Sequence, residues 1–222
     1  MANSVLIIGN KNYSSWSLRP WLLLKTKDIA FQEIRIPLYQ QHSTGAIQSH
    51  APAGRTKYRK LPIFHDGTIQ VWDSLAICEY VAECWPEARC WPKERAARAR
   101  ARSVSAEMHA GFQTLRSEMP MNCRRAPAPV AHGPGLQSEI DRVIEIWTSC
   151  RESSNAADPF LFGDFGIADA MYAPVALRFS IYAVALPPLA QAYADAILAL
   201  PALKVWIAQA QTETEALPQF ER

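Results

Sequence analysis

The segment Asn12-Tyr13-Ser14-Ser15-Trp16-Ser17-Leu18-Arg19-Pro20-Trp21 gathers three hydroxyl groups just ahead of a run rich in Leu and Trp. Proline lacks an N–H, so it fits a helix without loss only in the first turn, whose amides have no internal partner. Pro20 therefore predicts a helix with its N-cap near Ser17. Ser14 and Ser15 then fall in the preceding loop, in front of the positive end of the helix dipole. A hydroxyl held there can donate a hydrogen bond to an anion such as a thiolate, or it can simply cap the helix.

The elements around this loop alternate. Residues 4–9 form a short, nearly continuous apolar run, as expected of a strand buried on both faces. Residues 16–27 suit a helix, and residues 31–36 alternate as a half-buried strand. Residues 61–65 and 69–72 flank Asp66-Gly67-Thr68, a hairpin signal. Residues 74–84 form a helix with Ser74 as its N-cap. The predicted order is β-α-β-(α)-β-β-α. From Trp91 onward strand signals vanish. Ala97, Val104, Met108, Phe112, Leu115 and Met119 recur at helical spacing, which predicts one long helix over 94–118. Leu136, Ile140, Val143 and Trp147 mark another, and further helices are expected at 167–182, 188–199 and 201–213. The reading is a small α/β domain over 1–85, a linker over 86–92 and an all-helical domain over 93–222.

The chain has 222 residues, 49% hydrophobic and 20% charged, an ordinary globular composition. Its net charge of +2 is too small to imply a nucleic-acid or membrane partner. The longest uncharged stretch, residues 179–194, is shorter than a membrane span and contains Pro187 and Pro188. The apolar run near Met1 lacks a cleavage signature, which argues against a signal peptide. Five cysteines, an odd number with no CxxC pair, read as reduced thiols in a cytoplasmic chain rather than as a disulfide framework. The five histidines show no metal-ligand spacing, so no metal is expected. His109 reads as a surface or interdomain residue.

The ordered set Ser14-Ser15, Lys60-Leu61-Pro62, Asp66-Gly67, Asp73-Ser74 and Phe165-Gly166-Ile167-Ala168-Asp169-Ala170 resembles the cytosolic glutathione transferases over nearly the whole chain. The first loop is most similar to the zeta class and its bacterial relatives. The resemblance implies a thioredoxin-like N-terminal domain, a helical C-terminal domain and a homodimer. It implies a cis peptide bond before Pro62, with Leu61 pairing with glutathione through its backbone, and Asp73 and Ser74 gripping the γ-glutamyl end. It also implies that Ser14 activates the glutathione thiol, with Ser15 as the alternative. These assignments make physical sense. A cis X-Pro bond turns the preceding backbone outward, where it can pair with a peptide as an added strand. Free amides at a helix start bind a carboxylate, and Asp73 can meet an ammonium.

The sequence departs from the family in three places. Residues 55–59 add a basic loop before Lys60, which is assigned as a carboxylate contact of glutathione. Gly166 stands where a Ser or Thr usually begins the capping box. Trp16 replaces the cysteine usual in the zeta class, and with Met108 and Phe112 it is expected to wall a pocket for a small apolar electrophile. Arg124 and Arg125 are candidates for steering an anionic acceptor. The expected activity is conjugation of glutathione to that electrophile. A glutathione-dependent cis-trans isomerase, similar to maleylacetoacetate isomerase, and a non-catalytic glutathione-binding protein are the alternatives.

Overall fold

A computed structural model of the chain describes residues 4–51, 60–154 and 158–221. The first part runs β1 (Ser4–Ile8), α1 (Ser15–Thr26), β2 (Gln32–Arg35), α2 (Ser43–Ser49), β3 (Ile63–Asp66), β4 (Ile69–Trp72) and α3 (Ser74–Cys84), the predicted order. The strands form one sheet in the order β2-β1-β3-β4. β1 pairs parallel with β2 and antiparallel with β3, and β3 pairs antiparallel with β4, a thioredoxin-like topology. Side chains alternate across a strand. Leu6 and Ile8 therefore join the large core with Leu18, Trp21 and Ile77, while Ile7 packs on the other face with Ile36, Ile47 and Ile63. That two-sided burial is the reason the β1 sequence is almost uninterrupted in its apolar character.

The second part is all-helical: α4 (Arg95–Ala110), α5 (Gln113–Glu118), α6 (Pro134–Glu152), α7 (Ile167–Ile181), α8 (Pro188–Ala199) and α9 (Pro201–Gln211). A 3-10 turn at Pro86–Ala88 lies between α3 and α4. The core runs without interruption from one part to the other, because α1 packs against α3 on one side and α7 and α9 on the other.

Two predicted helix boundaries are corrected. The helix expected over 94–118 is broken. Gly111 is extended and Phe112 adopts a left-handed conformation at φ 61°. Arg116 then satisfies the free carbonyls at the end of α4, its Nε donating to Gly111 at 3.1 Å and its Nη2 to Met108. From α6, Glu139 accepts the Thr114 and Leu115 amides at the start of α5. Met108, Phe112 and Leu115 stay buried through the break, so apolar spacing alone could not reveal it. The N-cap of α1 is Ser14 rather than Ser17: the Ser14 carbonyl accepts the Leu18 amide and its Oγ accepts the Ser17 amide at 3.3 Å. Pro20 therefore lies inside α1, and the Trp16 carbonyl forgoes its i+4 donor.

The start of α7 explains Gly166. Asp169 accepts the Gly166 amide at 2.9 Å and the Leu161 amide at 3.0 Å. The Ile167 amide donates to the Cys90 carbonyl at 2.9 Å, so the chain leading into α4 supplies an acceptor at this helix start. A Cβ on Gly166 would lie 2.7 Å from that same Cys90 oxygen. Glycine is required here by close approach of two backbones.

Candidate active site

The loop ahead of α1 is held from both sides. Within it, the Asn10 carbonyl accepts the Tyr13 and Ser14 amides. From the helical domain, the Glu213 carboxylate accepts the Lys11 and Asn12 amides at 2.7 and 3.1 Å. Asn12 donates to Asn122 at 2.9 Å, and the Asn12 carbonyl accepts the Cys123 amide. Ser14, 7% exposed, sits at the head of the helix. Its Oγ lies 2.8 Å from Ser17 Oγ, which in turn accepts the Gly9 amide at 3.0 Å. A hydroxyl pair at that distance can donate in either sense. When Ser17 donates to Ser14, the Ser14 proton is free for an external anion. Ser15 is held differently, its Oγ accepting from Arg178 Nη2 at 3.2 Å.

At the start of β3 the Leu61–Pro62 peptide bond is cis, as the resemblance implied. Pro62 is buried, Leu61 is half-buried and Lys60 is exposed; the basic loop 55–59 lies outside the described residues. At the end of β4, the N-cap of α3 is Asp73 rather than Ser74. The Asp73 backbone has φ 78° and ψ 134°, a positive φ outside the left-handed helical region. Its Oδ1 accepts the Leu75 and Ala76 amides at 2.9 and 3.3 Å. Its Oδ2 lies 3.2 Å from His109 Nε2, reaching across the domain boundary. Burial holds the His109 imidazole below its ordinary value, with Asp73 opposing and Arg19 and Arg116 adding to the shift. At neutral pH the contact is therefore a hydrogen bond from a neutral ring. Ser74 is buried, and its Oγ has no hydrogen-bond partner among the described residues.

Trp16, 36% exposed, projects between these parts. Its ring meets His109 edge-on with centroids 5.3 Å apart, and the guanidinium carbons of Arg19 and Arg116 lie 4.4 and 4.6 Å from its centroid. Met108 and Phe112 are buried in the core, and the Met108 carbonyl accepts from Arg116 Nη2. Arg124 and Arg125 are engaged by the protein's own groups. Arg124 donates to Tyr13 Oη and to the Glu213 and Glu215 carbonyls, and Arg125 to the carbonyls of Ala126, Ala128 and Ile181. Sequence reasoning placed Ser17 only as a cap, and it missed Glu213 and the Asn12–Asn122 pair, whose partners are far away in the chain. Arg178 carried a signal, as a cation in a largely apolar helix buried nearly all round. Cys78 is not an alternative nucleophile, because burial pushes its thiol far above the ordinary range.

Residues 13–84 match the family described as "Glutathione S-transferase, N-terminal domain". A glutathione transferase homolog from Burkholderia GL BGR1, solved with bound glutathione, superposes with a TM-score of 0.69 at 21% identity, covering 95% of this chain and 99% of that one. The fold is that of the cytosolic glutathione transferases. A tau class glutathione S-transferase from mango, Mangifera indica, has a TM-score of 0.68 at 16% identity, covering 94% and 96% of the two chains. Maleylacetoacetate isomerase from Anaeromyxobacter dehalogenans 2CP-1, solved with dicarboxyethyl glutathione and citrate in its active site, has a TM-score of 0.64 at 20% identity, covering 97% and 100%. No curated protein sequence matches the chain. Within this glutathione transferase fold no class stands out, so the zeta-like character read in the first loop does not extend to the architecture as a whole. Among the described residues no three His, Cys, Asp or Glu side chains are grouped as metal ligands, and no helix is long and apolar enough to cross a membrane.

Proposed function

We propose that this protein is a glutathione transferase in which Ser14 donates a hydrogen bond to the glutathione sulfur and holds it as thiolate. The observation that carries the reading is the chain of groups from the Gly9 amide through Ser17 Oγ to Ser14 Oγ at the head of α1. With Ser17 donating, Ser14 accepts from both the Ser17 hydroxyl and amide and directs its own proton outward, next to the positive end of the helix. Leu61, ahead of the cis Pro62, offers its backbone to the tripeptide, Asp73 and Ser74 hold its γ-glutamyl end, and Lys60 meets its other carboxylate. Ser15, fixed by Arg178, braces the loop. Trp16, with Met108 and Phe112, borders the electrophile.

A free thiol titrates near 8.5, and each unit of lowering requires about 1.4 kcal/mol of selective thiolate stabilisation. One charge-assisted hydrogen bond, about 1.5–3 kcal/mol, therefore lowers the bound thiol by about one to two units. The test is the ultraviolet thiolate absorbance of bound glutathione against pH. Ser14→Ala should move the titration upward by about that amount with glutathione affinity nearly unchanged. Ser17→Ala should move it in the same direction by less. If Ser15→Ala moves it and Ser14→Ala does not, the donor is Ser15; if the wild-type complex titrates like free glutathione, the protein binds glutathione without activating it. The same thiolate could add to a conjugated double bond and leave again, so an isomerase is the second reading, favoured by the zeta-like Ser14-Ser15 pair. As in the resemblance, the working unit is a cytoplasmic homodimer, which light scattering would show as about twice the 24.8 kDa chain.

A further inference from the structure

The contact between His109 and Asp73 joins the two domains at the point assigned to the γ-glutamyl end of glutathione. His109 lies in the last turn of α4, and its Nε2 stands 3.2 Å from Asp73 Oδ2 at the start of α3. Solvent reaches both side chains, Asp73 being 43% and His109 26% exposed. The imidazole packs edge-on against Trp16, and its Nδ1 is buried without a hydrogen-bond partner. A carboxylate only accepts, so the contact puts the ring proton on Nε2 and leaves Nδ1 a bare lone pair in the neutral ring.

These positions set the state of both groups. A carboxylate has about four acceptor sites, and the Leu75 amide, the Ala76 amide and His109 take three of those on Asp73. While the imidazole is neutral, all three donors are neutral, so the negative charge and one acceptor site remain for a ligand cation. An imidazolium would neutralise Asp73, and its new Nδ1–H would be a buried donor without an acceptor. The surroundings resist that state. Burial opposes the imidazolium most, Asp73 and the negative end of α4 favour it, and Arg19 of α1 and Arg116 of α5 repel it; the balance holds the ring below its ordinary value. Of the other neighbouring elements, α3 offers Cys78, a neutral thiol, and Arg178 of α7 is turned to Met119 and Ser15.

We propose that His109 is a positioning residue for the γ-glutamyl end of glutathione: as a neutral donor it aims the Asp73 carboxylate at the ligand's ammonium, and as an imidazolium it takes the ammonium's place. This assignment rests on the glutathione reading and adds to it a pH response of binding that the first loop does not supply. The sign follows from the charges. Acidification protonates His109, two cations then compete for one carboxylate, and affinity falls as pH falls. By reciprocity, the bound ammonium lowers the proton affinity of His109 by the same factor.

The probe is S-methylglutathione, which has no thiol to titrate, followed by calorimetry from pH 7.5 to pH 5 and by NMR of the histidine rings. Wild type should lose about threefold or more in affinity over that range, with a limiting slope of about tenfold per pH unit for one proton. At pH 7.5 His109→Leu should bind about threefold to tenfold more weakly, the loss of one neutral hydrogen bond. His109→Gln, whose amide nitrogen can replace Nε2 as a neutral donor, should recover most of that loss and lack the pH slope. Asp169, which titrates near 6, is common to all three proteins and cancels in the comparison. The NMR midpoint of His109, identified by its absence from His109→Gln, should fall when S-methylglutathione saturates wild type. A wild-type slope in His109→Gln overturns the proposal, as does wild-type affinity in His109→Leu at pH 7.5, or a midpoint that the ligand leaves unmoved or raises. Failure of S-methylglutathione to bind at any of these pH values overturns the glutathione reading itself, and this assignment with it.

Discussion

Replacing Gly166 by Ser separates a rule about helix starts from the tertiary contact that overrides it. By cap preference alone, Ser at this position should stabilise α7 by a few tenths of a kcal/mol, because its hydroxyl can accept an amide of the first turn. Fewer conformations of the unfolded chain would add a similar gain. The Gly166 backbone, at φ −145° and ψ −165°, is extended and allowed to any residue, so conformation offers no objection. The objection is steric. The new Cβ would stand 2.7 Å from the Cys90 carbonyl oxygen, a backbone atom that cannot rotate away. That oxygen also accepts the Ile167 amide at 2.9 Å, so pushing it aside strains the bond that now serves the helix start. Overpacking of this kind costs about 1–3 kcal/mol, and loss of the hydrogen bond about 0.5–1.5 kcal/mol. The expected net is a destabilisation of about 1–3 kcal/mol, or about 2–4 °C in melting temperature for each kcal/mol in a chain of this size. Urea unfolding with linear extrapolation measures it, with Gly166→Ala as companion because it carries the same Cβ without a hydroxyl. A Gly166→Ser protein as stable as wild type, or more so, would refute the argument.

Two further outcomes follow from the site's supports. Burial raises the Asp169 carboxyl to about 6, against the favourable amides of Leu161 and Gly166. Between about pH 4 and pH 6 the folded state then binds more protons than the unfolded one, so stability should fall as pH rises through that window, and Asp169→Asn should flatten the slope of urea midpoint against pH. Glu213→Ala leaves the Lys11 and Asn12 amides without their acceptor and should cost about 1–3 kcal/mol. It should also weaken glutathione binding in calorimetry, because the loop carrying Ser14 is then loosely held; unchanged affinity would detach that loop from the site.

The sequence by itself determined the order of elements and the short motifs of the first loop and of Pro62. Both are local. An apolar run such as that of β1, or an Asp-Gly turn, is written within a few residues, and the cis peptide followed from an ordered set of short motifs. It did not determine where helices begin or break. Phe112 keeps helical spacing while its backbone leaves the helix, and Ser14 takes the cap that Pro20 placed at Ser17. Nor could it show that Arg19 and Arg116, far apart in the chain, would flank the Trp16 ring, or that Arg178 would reach Ser15. Apolar periodicity records which face of an element is buried, not what that face meets. Which groups meet across α1, α5 and α7 is fixed only when the helices pack, and charge is costly or useful according to those neighbours.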